Sequence, residues 1–234
     1  MAVYGVLLDF LPSLLEGAVV TLGVALSSLL MAVVLGLLGA LAKLSKSRVA
    51  RGVAHTYTTL IRGVPDLVLM LLIFYGGQVG VNNLATALGY DGYVDINPYI
   101  AGVLTIGFIF GAYLTEAFRG AFLAVPPGQR EAGLAFGMSA WQISRRITFP
   151  QMFRHALPGL SNNWLVLIKS TAIVSVIGLS DLMTRGSQAA GTTREPFMFY
   201  LAVAVIYLLF TSASELLFDR LQKRFSVGVR GSSL

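Results

Sequence analysis

The chain has 234 residues, 56% of them hydrophobic and only 12% charged, against roughly 25% charged in soluble domains. That balance excludes an ordinary soluble fold and makes the bilayer the natural solvent. The net charge of +6 is modest, and its placement along the chain accounts for it without nucleic acid.

A helix crossing about 30 Å of hydrocarbon needs roughly 20 apolar residues. The segment before Gly17 is short and partly apolar and is expected to lie in the interface. It carries Asp9 and Glu16 rather than the basic start of a cleaved signal peptide, so the first apolar run reads as a retained span. Residues 17–42 hold no charge and form the clearest span. The second span is expected near 60–81, its helix starting near Tyr57 or Leu60. Residues 98–118 give a third, with Glu116 near its end. Residues 163–182 give a fourth, interrupted by Lys169, and residues 196–218 a fifth, with Glu215 near its end. The chain, 1–234, thus reads as one all-α integral membrane domain. It has no cysteine, which excludes disulfides and thiolate metal sites.

Lys and Arg orient such a chain, because they accumulate on the cytoplasmic side. One set of connections holds Lys43, Lys46, Arg48, Arg51 and Arg62. The next on that side holds Arg119, Arg130, Arg145, Arg146 and Arg154, and the C-terminal tail adds Arg220, Lys223, Arg224 and Arg230. The other side has Arg185 and Arg194 beside Asp9, Asp91, Asp95, Asp181 and Glu195. The N-terminus is therefore expected outside and the C-terminus in the cytoplasm.

The longest cytoplasmic connection, with its structured part near 125–155, contains helix and turn signals in sequence. Pro126, Pro127 and Gly128 end the preceding span, and good helix formers follow from Gln129. Gly137 is placed to end that helix in the left-handed conformation. Ser139 and Gln142 have the spacing of a capping box. Ile143 and Ile147 share one face, and Pro150 is expected to stop the second helix. Two short helices below the membrane make either a protruding knob or a pair lying in the lipid interface.

Glu131-Ala132-Gly133, then Gly137, then Ile147-Thr148-Phe149-Pro150 resembles the EAA loop of ABC importer permeases. Both family spacings are kept, with Gly133 where Ala is usual and Phe149 where Leu is usual. Arg62-Gly63-Val64-Pro65, the run from Tyr113 to Gly120, Val125 to Gln129, Lys169-Ser170-Thr171 and the ending Arg224 to Val229 are similar to segments of polar amino acid permeases. Among these the likeness is to the Q-type subunits of histidine/lysine/arginine/ornithine importers. The resemblance implies a type I ABC importer permease fold of five transmembrane helices in the bacterial inner membrane. It implies that Glu131, Ala132, Gly133, Gly137, Ile147 and Pro150 form a coupling loop docking onto an ATPase. It implies as partners two cytoplasmic ABC ATPase subunits that bind ATP and Mg, a related M-type permease subunit and a periplasmic amino acid-binding protein. Cargo would be basic amino acids, with opines or other polar amino acids as the alternative.

Ionisable groups inside the membrane face a partner or a cavity. Glu116 and Lys169, at comparable depth, are expected to pair or to line one polar path. Tyr113, Thr171 and Ser175 would extend that path, or the hydroxyls would serve helix packing. Glu215 is expected to reach the headgroups. His55 and His155 lack a second ligand at metal spacing, so no metal site is expected. Gly76, Gly77 and Gly80 are not followed by Lys-Ser/Thr, and no ATP-binding phosphate loop occurs in the chain. No catalytic residue is expected: an intramembrane enzyme would need more clustered His, Asp or Glu than the spans contain.

Overall fold

The computed structural model describes residues 2–225, which leaves the expected Ser226 to Val229 ending and Arg230 outside the described residues. Within them the chain is helical: α1 (Ala2–Leu44), α2 (Arg48–Gly63), α3 (Asp66–Ala87), α4 (Pro98–Leu123), α5 (Pro127–Ala135), α6 (Ala140–Ile143), α7 (Phe149–Ser170), α8 (Leu182–Thr193) and α9 (Pro196–Phe225). A π-helical turn, Ser144–Thr148, joins α6 to α7, and a 3₁₀ stretch, Thr171–Ile177, follows α7. Five helical stretches are long and apolar enough to span a bilayer: Gly5–Leu44, Asp66–Ala87, Pro98–Leu123, Ala140–Ile177 and Pro196–Phe225.

Local chemistry sets the boundaries. Asn97 accepts from the Tyr99 and Ile100 amides, and Pro98 starts α4, where a missing N–H costs nothing. Ser47 caps α2 by accepting from Ala50. Val64 is extended ahead of Pro65, which separates α2 from α3. Gly178, at φ 89°, ends the 3₁₀ stretch.

α4 sits at the centre of the bundle. It runs parallel to α1 and packs on α2, α3 and α7. Ile106, Ile109, Phe110 and Leu114 of α4 are buried with Leu167, Ile168 and Val174. The α1–α4 seam is tight enough to require glycine. A methyl group on Gly111 would stand 2.8 Å from Leu35 Cβ, and one on Gly36 would stand 2.7 Å from Leu114 Cβ. Gly107 and Gly111 lie four apart on one face of α4, the spacing that lets membrane helices approach closely.

A second apolar cluster joins Leu14 and Ala18 of α1 to Leu182 and Ala189 of α8 and to Phe199 and Val203 of α9. It explains a departure from expectation. The segment before Gly17 is continuous with α1, because Leu14 is buried against α8 and α9 instead of lying in the interface. At 43 residues α1 is about 65 Å long, more than a bilayer needs.

Other departures follow the same logic. The second span is a separate membrane helix, α3, preceded by α2, which crosses α1 and α4 with Ala54, Thr58 and Ile61 buried. The fourth span begins well before residue 163 and ends at Ile177. α8 was not expected from sequence. It is short and mostly polar, and Asp181 starts it by accepting from the Thr184 amide at 2.8 Å.

Asp181 is fully buried, and its Oδ2 has no partner among the described residues. Burial pushes its carboxyl above the usual carboxylate range, opposed by the Thr184 hydrogen bonds. The folded state then holds this proton more tightly than the unfolded state does. The stability it contributes is complete below the ordinary carboxylate pKa and is lost as pH rises through the raised value.

Two outcomes are expected. Gly111→Leu should separate α1 from α4 and destabilise the detergent-solubilised protein by about 1–3 kcal/mol or more, read by thermal unfolding. Asp181→Asn keeps an oxygen for the Thr184 amide while removing the charge. Its melting temperature should exceed the parent's near neutral pH, and the two should converge as the pH falls to about 4.

Candidate functional site

Two features concentrate chemistry: the knob between α4 and α7, and a charged cluster where α1, α2 and α4 meet. The knob is α5, a glycine turn and α6. Gly137 has φ 73°, the region in which a side chain is strained. Its amide donates to Leu134 O at 2.9 Å, and the Met138 amide donates to Gly133 O at 3.0 Å. These are the two bonds of a Schellman motif. The space beside Gly137 is open, so backbone conformation alone demands glycine there.

The second half of the knob is capped as expected. The Gln142 amide donates to Ser139 Oγ at 3.3 Å, and the Ser139 amide donates to Gln142 Oε1 at 2.8 Å. Ile143 is buried and packs with Ile147 on Gly133. A Cβ at that glycine would meet Ile143 Cγ1 at 2.9 Å and Ile147 Cδ1 at 3.0 Å. Glycine at this position is therefore the seat of the second helix on the first. Glu131 and Ala132 are exposed.

Pro150 does not stop the helix. Phe149 is helical, at φ −61° and ψ −46°, and its amide donates to Ser144 O, five residues back. Proline lacks an N–H and its ring presses on the carbonyl four residues earlier. The wider π turn relieves that contact while keeping the helix continuous. Phe122 of α4 and Phe149 meet edge to face, with centroids 5.6 Å apart. The knob therefore runs without a loop into α7, ahead of Lys169.

The charged cluster centres on Glu116. Its Oε1 receives Lys43, and its Oε2 receives Arg119 at 2.9 Å. Lys43 also donates to Thr58 Oγ1 at 2.5 Å. One turn away, the Arg62 guanidinium lies 5.5 Å from the centre of the Tyr113 ring, within cation–π range.

Residues 32–227 match the family of binding-protein-dependent transport system inner membrane components. The chain belongs to this family. It is 53% identical over 221 residues to the histidine/lysine/arginine/ornithine transport system permease protein HisQ of Escherichia coli strain K12, covering 94% of this chain and 96% of that protein. It is 41% identical over 217 residues to the octopine transport system permease protein OccQ of Rhizobium radiobacter, covering 93% and 92%. It also resembles a chain of a crystallised amino acid ABC transporter with histidines, with TM-score 0.79 and 32% identity over 93% of this chain and 96% of that one. The all-α architecture with five membrane-spanning stretches is that of a type I ABC importer permease. This permease is a multi-pass inner membrane protein and a transporter subunit.

The permease does not pair Glu116 with Lys169. Packing α1 parallel to α4 brings Lys43 level with Glu116, and Arg119 follows one turn on, so both carboxylate oxygens are taken. Lys169 is exposed near the end of α7, without an ion pair or hydrogen bond among the described residues. Thr171 and Ser175 do not form a stripe with it. They lie in the 3₁₀ stretch, where residues four apart point about 120° from one another. Thr171 is buried and donates to Ile168 O at 2.6 Å, and Ser175 donates to Ala172 O at 2.7 Å. Both hydroxyls thus satisfy their own backbone.

Sequence reasoning missed Lys43, Thr58 and Arg119 as partners of Glu116. Lys43 is the first charge after the uncharged run of α1, and Arg119 is three residues beyond Glu116. Both were legible signals. The partnership can be tested by a double-mutant cycle. Lys43→Met and Glu116→Gln should each lower stability by about 1–3 kcal/mol and couple by more than about 0.5 kcal/mol. Glu116→Gln and Lys169→Met should be additive within that margin.

Proposed function

We propose that this permease carries basic L-amino acids, namely histidine, arginine, lysine and ornithine, inward across the membrane in an ATP-driven importer. The observation that carries the reading is the 53% identity to HisQ over 94% of the chain, against 41% and 43% for the octopine and nopaline permeases. Opine import is the second reading, favoured by those relatives' near-complete coverage of the chain.

In this reading the N-terminus faces outward and the basic connections face the cytoplasm. Two ATPase subunits binding ATP and Mg sit beneath the membrane, a related M-type permease subunit completes the pore, and an external binding protein delivers the amino acid. The knob is the docking element, with Glu131, Ala132, Gly133, Gly137, Ile147 and Pro150 as its frame. Its contact side chains are Phe136 and Trp141, exposed by 88% and 70%. Large exposed aromatics on a rigid support are the usual anchors of a protein interface.

ATPase closure displaces the knob, and the continuous helix through the π turn transmits that displacement to the end of α7. Lys169 is unpaired there among the described residues, and lipid is a costly environment for a lone ammonium. It therefore faces an aqueous path or the second permease subunit. Tyr113, beneath Arg62, is the other candidate path group. Glu116 is held by Lys43 and Arg119 and acts by fixing α4 against α1. Thr171 and Ser175 shape the 3₁₀ stretch that follows Lys169.

The test uses the whole complex reconstituted in vesicles. ATP-dependent uptake of labelled histidine should be competed by arginine, lysine and ornithine, and much less by octopine. Strong competition by octopine alone would favour the second reading. Trp141→Ala and Phe136→Ala should each weaken ATPase co-purification by about 2 kcal/mol. Full ATPase retention in both would remove the docking assignment.

A further inference from the structure

The cluster around Glu116 has more positive charge than its carboxylate neutralises. Lys43, Arg51, His55, Glu116 and Arg119 line one cavity of about 380 Å³ where α1, α2 and α4 meet. Both oxygens of Glu116 are committed, one to Lys43 and one to Arg119. Among the described residues Arg51 has only a neutral acceptor, the Ser45 carbonyl at 3.1 Å. Three permanent cations thus share one carboxylate, and His55 adds a further ring nitrogen donor at the wall. A concave site with such a surplus concentrates anions, and a guanidinium matches the oxygens of a phosphate.

The other side of α2 is apolar. Leu35, Leu38, Val53, Tyr57 and Phe108 line a groove of about 410 Å³. α2 therefore turns Arg51 and His55 towards the charged cavity and Val53 and Tyr57 towards the groove. A basic pocket between membrane helices beside an apolar channel has the chemistry that anionic lipid headgroups recognise.

We propose that the Lys43–Arg51–His55–Arg119 cavity binds a phosphate group, from an anionic phospholipid headgroup or from free phosphate. Glu116 holds two of the cations in place, and Arg51 supplies the unneutralised charge. The site is independent of which amino acid the permease carries.

The experiment uses the assembled importer complex in nanodiscs of neutral phosphatidylcholine. In one arm inorganic phosphate is titrated at constant ionic strength against sodium chloride. In the other, phosphatidylglycerol replaces part of the neutral lipid. Both are read as the shift in unfolding temperature. Arg51→Gln should weaken the apparent phosphate affinity roughly tenfold or abolish the phosphatidylglycerol-dependent shift. Arg220→Gln, which removes one charge from α9, should leave both intact. A response confined to the lipid arm assigns the headgroup, and one confined to the phosphate arm assigns the free ion. No response in either arm, or an Arg51→Gln complex that responds like the parent, overturns the proposal. If Arg51→Gln is already less stable without added anion, Arg51→Lys, which keeps the charge, is added, and failure of Arg51→Lys to restore the response that Arg51→Gln loses overturns the proposal.

Discussion

The close seam between α1 and α4 is the constraint on which the other arrangements rest. Gly36 and Gly111 let the two backbones approach until Leu114 and Leu35 fill the space a side chain would take. In lipid no hydrophobic drive brings helices together, so such packing must supply the association energy. The seam also sets register. With α1 fixed against α4, Lys43 arrives at Glu116, and α2 is held across both helices by Thr58 beneath Lys43. The ion pair and the charged cavity follow from the packing of small residues some turns away.

The second organising feature is the unbroken path from knob to membrane. The Schellman turn at Gly137, the capping box at Ser139 and the seat of Ile143 on Gly133 make the knob one rigid piece. The π turn joins that piece to α7 without a hinge. Rigid packed elements with few intervening loops carry displacement over distance. The least buried spanning stretches within this chain, α3 and α9, expose apolar surface that lipid or neighbouring subunits cover in the membrane.

Much of this was legible in the residues. Apolar runs with few charges gave the number of spans, and the spacing of Gly137, Ser139 and Gln142 gave the turn and cap. Three features were not legible for physical reasons. α8 is too polar and short to register as an element, and only Asp181, Leu182 and the Phe199 pocket make it one. The true partners of Glu116 depend on helix register, which sequence separation does not reveal. The 3₁₀ winding after Ser170 changes the angular step per residue, so a spacing of four no longer means a shared face. Pro150 misled because the rule for the residue before proline assumes an α-helical turn, and the chain widens that turn instead.

The π turn also fixes the angular phase between the knob and the membrane helix. An α-helix advances about 100° per residue, and the wide turn accommodates an additional residue within the coil. Winding the same residues as a regular α-helix instead would swing the aromatic side of the knob about a quarter of a revolution away from its present bearing relative to Lys169. The interval between those two residues is thus a setting of direction as much as of length. A change of winding there would be felt as misalignment across the molecule, even where every contact within the knob survived.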